Sequence, residues 1–95
     1  MVISKWEFDV SREAEVRESA RIMDDAMGMW PEIEFSYTVR AGEDYVIVVM
    51  GYRDEASYQR LIRDPSGPFE KAAAESGIEK YSTWIWSERG EVEAD

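Results

Sequence analysis

The run Tyr45-Val46-Ile47-Val48-Val49-Met50-Gly51-Tyr52 carries apolar side chains at successive positions, so any strand it forms is apolar on both faces. Such a strand belongs in the middle of a sheet, with cover above and below. A chain of 95 residues has one core to supply that cover, because a domain of this size hides roughly two thirds of the surface it exposes unfolded. The remaining segments are what must surround this strand.

Ahead of it, residues 2–10 alternate. Ser4, Trp6, Phe8 and Val10 fall on one side and Ile3, Lys5, Glu7 and Asp9 on the other, which predicts a half-buried strand. Ser11 stands at an N-cap position with Glu13 and Glu15 in the next turn, where carboxylates oppose the positive end of a helix dipole. Val16, Ala20, Met23 and Met27 form the apolar stripe of that helix, Glu13 and Arg17 pair on its outside, and Gly28 marks its end. After Trp30-Pro31 a second alternation sets Ile33, Phe35, Tyr37 and Val39 against Glu34, Ser36, Thr38 and Arg40. The polar turn Ala41-Gly42-Glu43-Asp44 joins it to the apolar strand as a hairpin. Beyond that strand, Asp54 caps a helix bearing Tyr58, Leu61 and Ile62, and Asp64-Pro65 interrupts it. Another helix follows Gly67, with Phe69, Ala72, Ala73 and Ser76 on one face and Gly77 as its terminator. Residues 78–87 read as a fourth strand, rich in aromatics.

The order strand, helix, strand, strand, helix, strand is the split βαβ signature of the ferredoxin-like fold, an α+β architecture with a four-stranded antiparallel sheet and helices on one face. Right-handed crossovers imply the spatial order 4-1-3-2. One domain over residues 1–88 and an acidic tail over 89–95 account for the chain. The alternation puts the large apolar residues of the first two strands under the helices and leaves Lys5, Glu7, Glu34, Ser36, Thr38 and Arg40 on the opposite face. An apolar stripe of the third strand, either Val46, Val48 and Met50 or Tyr45, Ile47 and Val49, then also faces away from the helices, and an exposed stripe of that kind marks an interface or ligand site. The expected assembly is a homodimer whose sheets face each other, a dimeric α+β barrel. The alternative is a solvated sheet on a monomer.

The chain has no cysteine, histidine or asparagine. Disulfides, zinc fingers, thiolate nucleophiles, histidine bases and histidine-held haem are excluded, which leaves carboxylates, lysine, arginine and tyrosine for proton transfer. No cofactor and no metal are expected. The 21 acidic residues against 11 basic ones give a net charge of −10, a field that repels nucleic acid and anionic membrane surfaces. No apolar run nears the roughly 20 residues of a bilayer span, and no signal-peptide pattern opens the chain, so a cytoplasmic protein is expected. The acidic excess and the preference for Arg over Lys also suit a high-salt cytoplasm, although solubility alone accounts for the charge.

The strand Tyr45 to Tyr52, the segment Arg53-Asp54-Glu55-Ala56-Ser57-Tyr58-Gln59-Arg60-Leu61, and Asp64-Pro65 followed by Phe69 resemble the antibiotic biosynthesis monooxygenase group of the dimeric α+β barrel superfamily. The resemblance runs from Tyr45 to Trp86. It implies a homodimer with a ligand cavity between sheet and helices in each subunit. Members include cofactor-free oxygenases and haem-degrading enzymes. The histidine and asparagine of the haem-degrading members are missing here, so that activity is not implied, and Tyr52 stands where a tryptophan is frequent. No catalytic residue transfers.

Glu7 and Glu34 are the catalytic candidates. They share an expected face on strands two spacings, roughly 10 Å, apart. Enclosed in a dimer cavity, a desolvated carboxylate rises in pKa and serves as a general acid or base; otherwise both are solvated or paired with Lys5 and Arg40. Trp84 and Trp86 project on one side of the fourth strand and offer a flat wall with an N–H handle. Arg40, Tyr52 and Trp84 are the ligand-binding candidates, with Trp30 at the mouth of the cavity. Met23, Met27 and Met29 are core fillers, and Asp24 and Asp25, adjacent on a helix, make no metal site. The expected function is binding of a small, aromatic molecule in that cavity, with cofactor-free oxygenase-like activity. The alternative is a non-catalytic dimerisation or ligand-sensing module of the same fold.

Overall fold

A computed structural model describes residues 1–91. The order is β1 (Val2–Phe8), a 3-10 turn (Val10–Arg12), α1 (Glu13–Met27), β2 (Ile33–Arg40), β3 (Tyr45–Tyr52), α2 (Glu55–Tyr58) continuing into a π-helical turn (Gln59–Arg63), α3 (Pro68–Ser76), α4 (Ile78–Tyr81) and β4 (Ser82–Arg89). The four strands form one antiparallel open sheet in the order β2-β3-β1-β4. The doubly apolar β3 is one of its two central strands. This α+β arrangement is consistent with the ferredoxin-like fold.

Local chemistry sets the element boundaries. Asp9, rather than Ser11, opens the first helical segment: the backbone N–H and the hydroxyl of Ser11 donate to Asp9 Oδ1 at 2.9 and 2.7 Å. Asp54 caps α2 as its sequence position suggests, accepting from Ser57 N at 2.8 Å. Asp64 closes the following turn by accepting from Ser66 N at 2.9 Å. Gly67 must be small there, because a Cβ would sit 2.7 Å from the carbonyl oxygen of Arg60. Gly77 ends α3 in the left-handed region at φ 72°, where glycine carries no Cβ penalty.

The fourth strand starts later than the sequence suggests. Residues Ile78–Tyr81 make one more helical turn, with Lys80 N donating to Gly77 O at 3.0 Å and the Ser82 hydroxyl to Ile78 O at 3.0 Å. It also ends later, since Arg89 is in the strand and Gly90 exchanges two hydrogen bonds with Met1, at 3.0 and 2.7 Å. Of the expected tail, residues 92–95 lie outside the described residues.

Both edge strands contain an extra residue, and this re-phases their faces. In β2, Ile33 pairs with Tyr52 while Phe35 pairs with Gly51, which leaves Glu34 as a bulge. Ile33 therefore joins the core below the helices, whereas Phe35, Tyr37 and Val39 turn to the outer face beside Val49 and Ile47. Ser36, Thr38 and Arg40 turn inward. The expectation that all four apolar residues of β2 share the helix side, with its polar set outside, is corrected by this one residue. In β4, Lys5 pairs with Trp86 but Trp6 with Trp84, so Ile85 is the extra residue and the two tryptophans point to opposite faces instead of one.

The core joins Val2 and Met50 of the sheet to Met23 and Met27 of α1, Tyr58 of α2, and Ala72 and Ala73 of α3. Every buried side-chain polar atom among the described residues has a partner. Among those residues no helix is long and apolar enough to cross a membrane.

Candidate functional site

Between the helices and the inner face of the sheet lies an open cleft of about 540 Å³, within the range of small-molecule sites. The strand register builds its floor. One cross-strand row runs Thr38, Val48, Ser4, Ser87 and the next runs Arg40, Val46, Trp6, Trp84. The hydroxyls of Ser4 and Ser87 are 2.9 Å apart, and Trp84 Nε1 donates to Ser87 Oγ at 2.7 Å, which fixes the indole beside the hydroxyl row. Val16, Ala20 and Met23 of α1, Ile62 of the π-helical turn and Phe69 of α3 supply apolar walls. The cleft is thus apolar and aromatic, with a few hydroxyls aligned on its floor.

Charges stand around it. Arg40 is held at one end: its guanidinium pairs with Glu13, donates to the carbonyls of Gly42 and Glu43, and lies 4.9 Å above the Phe8 ring. Arg17 also approaches Glu13, at 3.8 Å. Asp24 borders the cleft further along α1. Asp24 is exposed, but its partial burial, and after it the charge of adjacent Asp25, raises its carboxyl above the ordinary value. The nearby Arg21 is taken up by Glu18 at 2.6 Å and Asp25 at 2.8 Å.

The structure brings only some of the expected site residues together. Arg40 and Trp84 both line the cleft. Tyr52 does not; its ring stacks 4.8 Å from that of Tyr58, and its hydroxyl accepts from Arg89 Nε at 3.2 Å. Trp30 packs against the core. Glu7 lies on the outer face, opposite Tyr45 and Thr83, and borders a separate shallow depression with Asp9, Asp44 and Glu79. Glu34 is the exposed bulge residue of β2 and lines neither hollow. The two carboxylates therefore do not share a site. Among the described residues no group of three or more acidic side chains is placed to hold a metal ion.

Sequence reasoning missed Trp6, Ser36, Thr38 and Asp24 as lining residues. For Asp24 a signal exists: Glu13, Arg17, Ala20 and Asp24 follow at spacings of four, three and four, a mixed stripe flanking the apolar one. For Ser36 and Thr38 there is none, because strict alternation conceals the bulge.

These features define a small α+β protein with an open antiparallel sheet and a ligand-sized cleft beneath its helices. No protein-family model matches the chain, and no curated protein matches it in sequence.

Proposed function

We propose that this protein binds a small, flat, mainly apolar molecule in the cleft between sheet and helices, and that two copies associate through their outer sheet faces. The observation that carries the reading is the cleft floor, where Trp6 and Trp84 lie beside the Ser4 and Ser87 hydroxyls: an aromatic platform with hydrogen-bonding groups along one edge. The resemblance of residues 45–86 to the antibiotic biosynthesis monooxygenase group supports a ligand in this place. Glu7 and Glu34, the bases expected for cofactor-free oxygenation, stand outside the cleft, and its platform of indoles and hydroxyls is a binding feature, so binding or sensing is the reading preferred over catalysis.

The assembly follows from what faces outward. Phe35, Tyr37, Val39, Ile47, Val49 and Trp86 line the outer face, and Tyr37, Val39 and Trp86 are 63%, 52% and 39% exposed. An apolar surface of this extent is characteristic of an interface. Lys5 and Glu7 share that face, and a two-fold axis passing between them would set each against the opposite charge of the other copy. The cysteine-free chain suits the cytoplasm, where structural disulfides are rare.

Two measurements test this. Titrating planar aromatic compounds against the tryptophan fluorescence should give saturable quenching that Val48→Trp, which fills the centre of the floor, abolishes; quenching that survives the substitution places the ligand elsewhere. Sedimentation equilibrium should give a dimer that Tyr37→Arg converts to monomer, and a monomer in the parent protein refutes the assembly.

A further inference from the structure

The two edges of the sheet are not alike. β4 carries its bulge at Ile85, in the middle of the strand, which bends and blunts that edge. β2 carries its bulge at Glu34, near its start, and beyond it Phe35 to Arg40 run in unbroken register against Gly51 to Val46. Among the described residues β3 is the one element that packs along β2, and Ser36 through Arg40 are all exposed. The strand contains neither proline nor lysine, two of the residues by which natural sheets keep an edge from pairing. Its outward N–H and C=O groups are a template for another strand.

The side chains decide which strand fits. Read outward from Tyr37, the segment Glu34-Phe35-Ser36-Tyr37-Thr38-Val39-Arg40 is complementary to itself. An antiparallel second copy, on a two-fold axis at Tyr37, sets Tyr37 against Tyr37, Phe35 against Val39, Ser36 against Thr38 and Glu34 against Arg40. These are aromatic, aromatic to β-branched, hydroxyl and opposite-charge pairs, each of a kind that stabilises neighbouring strands. The faces agree as well: Phe35, Tyr37 and Val39 carry the outer apolar surface on into the second copy, and Ser36 and Thr38 stay on the helix side. A shift of one residue sets inward side chains against outward ones, and a shift of two separates Glu34 from Arg40. Glu34 forms no ion pair among the described residues. The Arg40 side chain, 41% exposed, keeps N–H groups beyond the three it gives to Glu13, Gly42 and Glu43.

We infer that a second copy of this chain pairs with β2 edge to edge, antiparallel about Tyr37, so that two four-stranded sheets become one continuous sheet. This contact is separate from the one through the outer faces and compatible with it, because a sheet's edge and its face point in different directions. Edge pairing covers the margin of one strand, the smaller surface, so it joins outer-face dimers as the concentration rises.

The absence of cysteine makes the test direct. Ser36→Cys and Thr38→Cys, mixed in equal amounts and gently oxidised, should form a disulfide joining one variant to the other, since directly opposed residues of antiparallel strands lie about 4.5 to 5.5 Å apart at Cα, within disulfide reach. Each variant alone should cross-link far less, because its own cysteines then stand on a diagonal of roughly 7 to 8 Å. Both side chains lie on the helix side of the sheet, so association through the outer faces does not bring them together. Adding Glu34→Arg, at an exposed position, sets like charges together twice in each interface and should weaken the mixed cross-link about tenfold. The outer-face dimer should persist in that variant by sedimentation equilibrium, which also shows that it folds. A mixed cross-link no stronger than those of the single variants overturns the pairing, whether or not the outer-face dimer is found. A mixed cross-link that Glu34→Arg leaves unchanged overturns it too, by removing the register. Cross-linking in a protein without an outer-face dimer keeps this pairing and removes the other.

Discussion

Leu61 is the most enclosed side chain among the described residues, at 2% exposure, and it sits on the irregular π-helical turn between α2 and α3. Truncation there leaves a cavity that a short turn cannot collapse to fill, so Leu61→Ala should cost about 3 kcal/mol by urea unfolding. Gly77 is constrained by conformation instead. Its φ of 72° makes Gly77→Ala cost about 1 kcal/mol, and Gly77→Asn less, because asparagine tolerates the left-handed region. Gly51 is constrained by a neighbour: the Phe35 ring lies where its Cβ would be, 2.2 Å away, and so covers the glycine on the outer face. Asp24 carries a cost of its own. Its folded-state pKa is raised above the usual 3.8, so its charged form disfavours the fold above that raised value, and the cost disappears once the pH falls below both values. Asp24→Asn should therefore raise the melting temperature at about neutral pH by a small amount, limited by solvent screening, and the gain should fade towards about pH 3.

Carboxylates cap the starts of two helical segments and close the turn ahead of α3. Hydrogen bonds from Ser11 hold Asp9 below the ordinary carboxylate value, those from Ser57 do so for Asp54, and those from Ser66 for Asp64. A depressed folded-state pKa contributes stability that is complete above the unfolded value of 3.8 and is lost as the pH falls through the folded value. Acid titration followed by circular dichroism should show the short helical segments losing stability below about pH 4, and Asp54→Ala should lower the melting temperature at neutral pH while making the acid transition shallower. The Asp54 cap and the Gly77 stop were legible in the sequence, because caps and left-handed glycines are decided by residues adjacent in the chain. The bulges at Glu34 and Ile85 were not. An extra residue in an edge strand is defined only against the partner strand, and the alternation of Phe35, Tyr37 and Val39 looks the same whichever face it serves.

For the whole molecule, the consequence of the two bulges is a sheet with two useful faces. The outer one gathers Phe35, Tyr37, Val39 and Trp86; the inner one holds the hydroxyl row and the indoles of Trp6 and Trp84 under the helices. The proposed association through the outer face would bring together two chains of charge −10, so such a dimer should tighten as salt rises from about 0.01 M to 1 M, over which the Debye length falls from roughly 30 to 3 Å. Sedimentation equilibrium at both salts checks it, and weakening with salt would make Lys5–Glu7 pairing, not apolar contact, the source of association. The sequence by itself determined the α+β order of elements, the central place of Tyr45–Tyr52, the Asp54 cap and the Gly77 stop, and the exclusion of cysteine and histidine chemistry. All of these rest on composition or on neighbours within a few residues along the chain. Only the tertiary structure decided that Glu7 and Glu34 stand apart, that Trp84 and Trp86 face opposite ways, and that Ser36, Thr38 and Asp24 border one cleft. In a strand of period two, one unpaired residue exchanges inside for outside, and that residue is visible only when the neighbouring strand is laid against it.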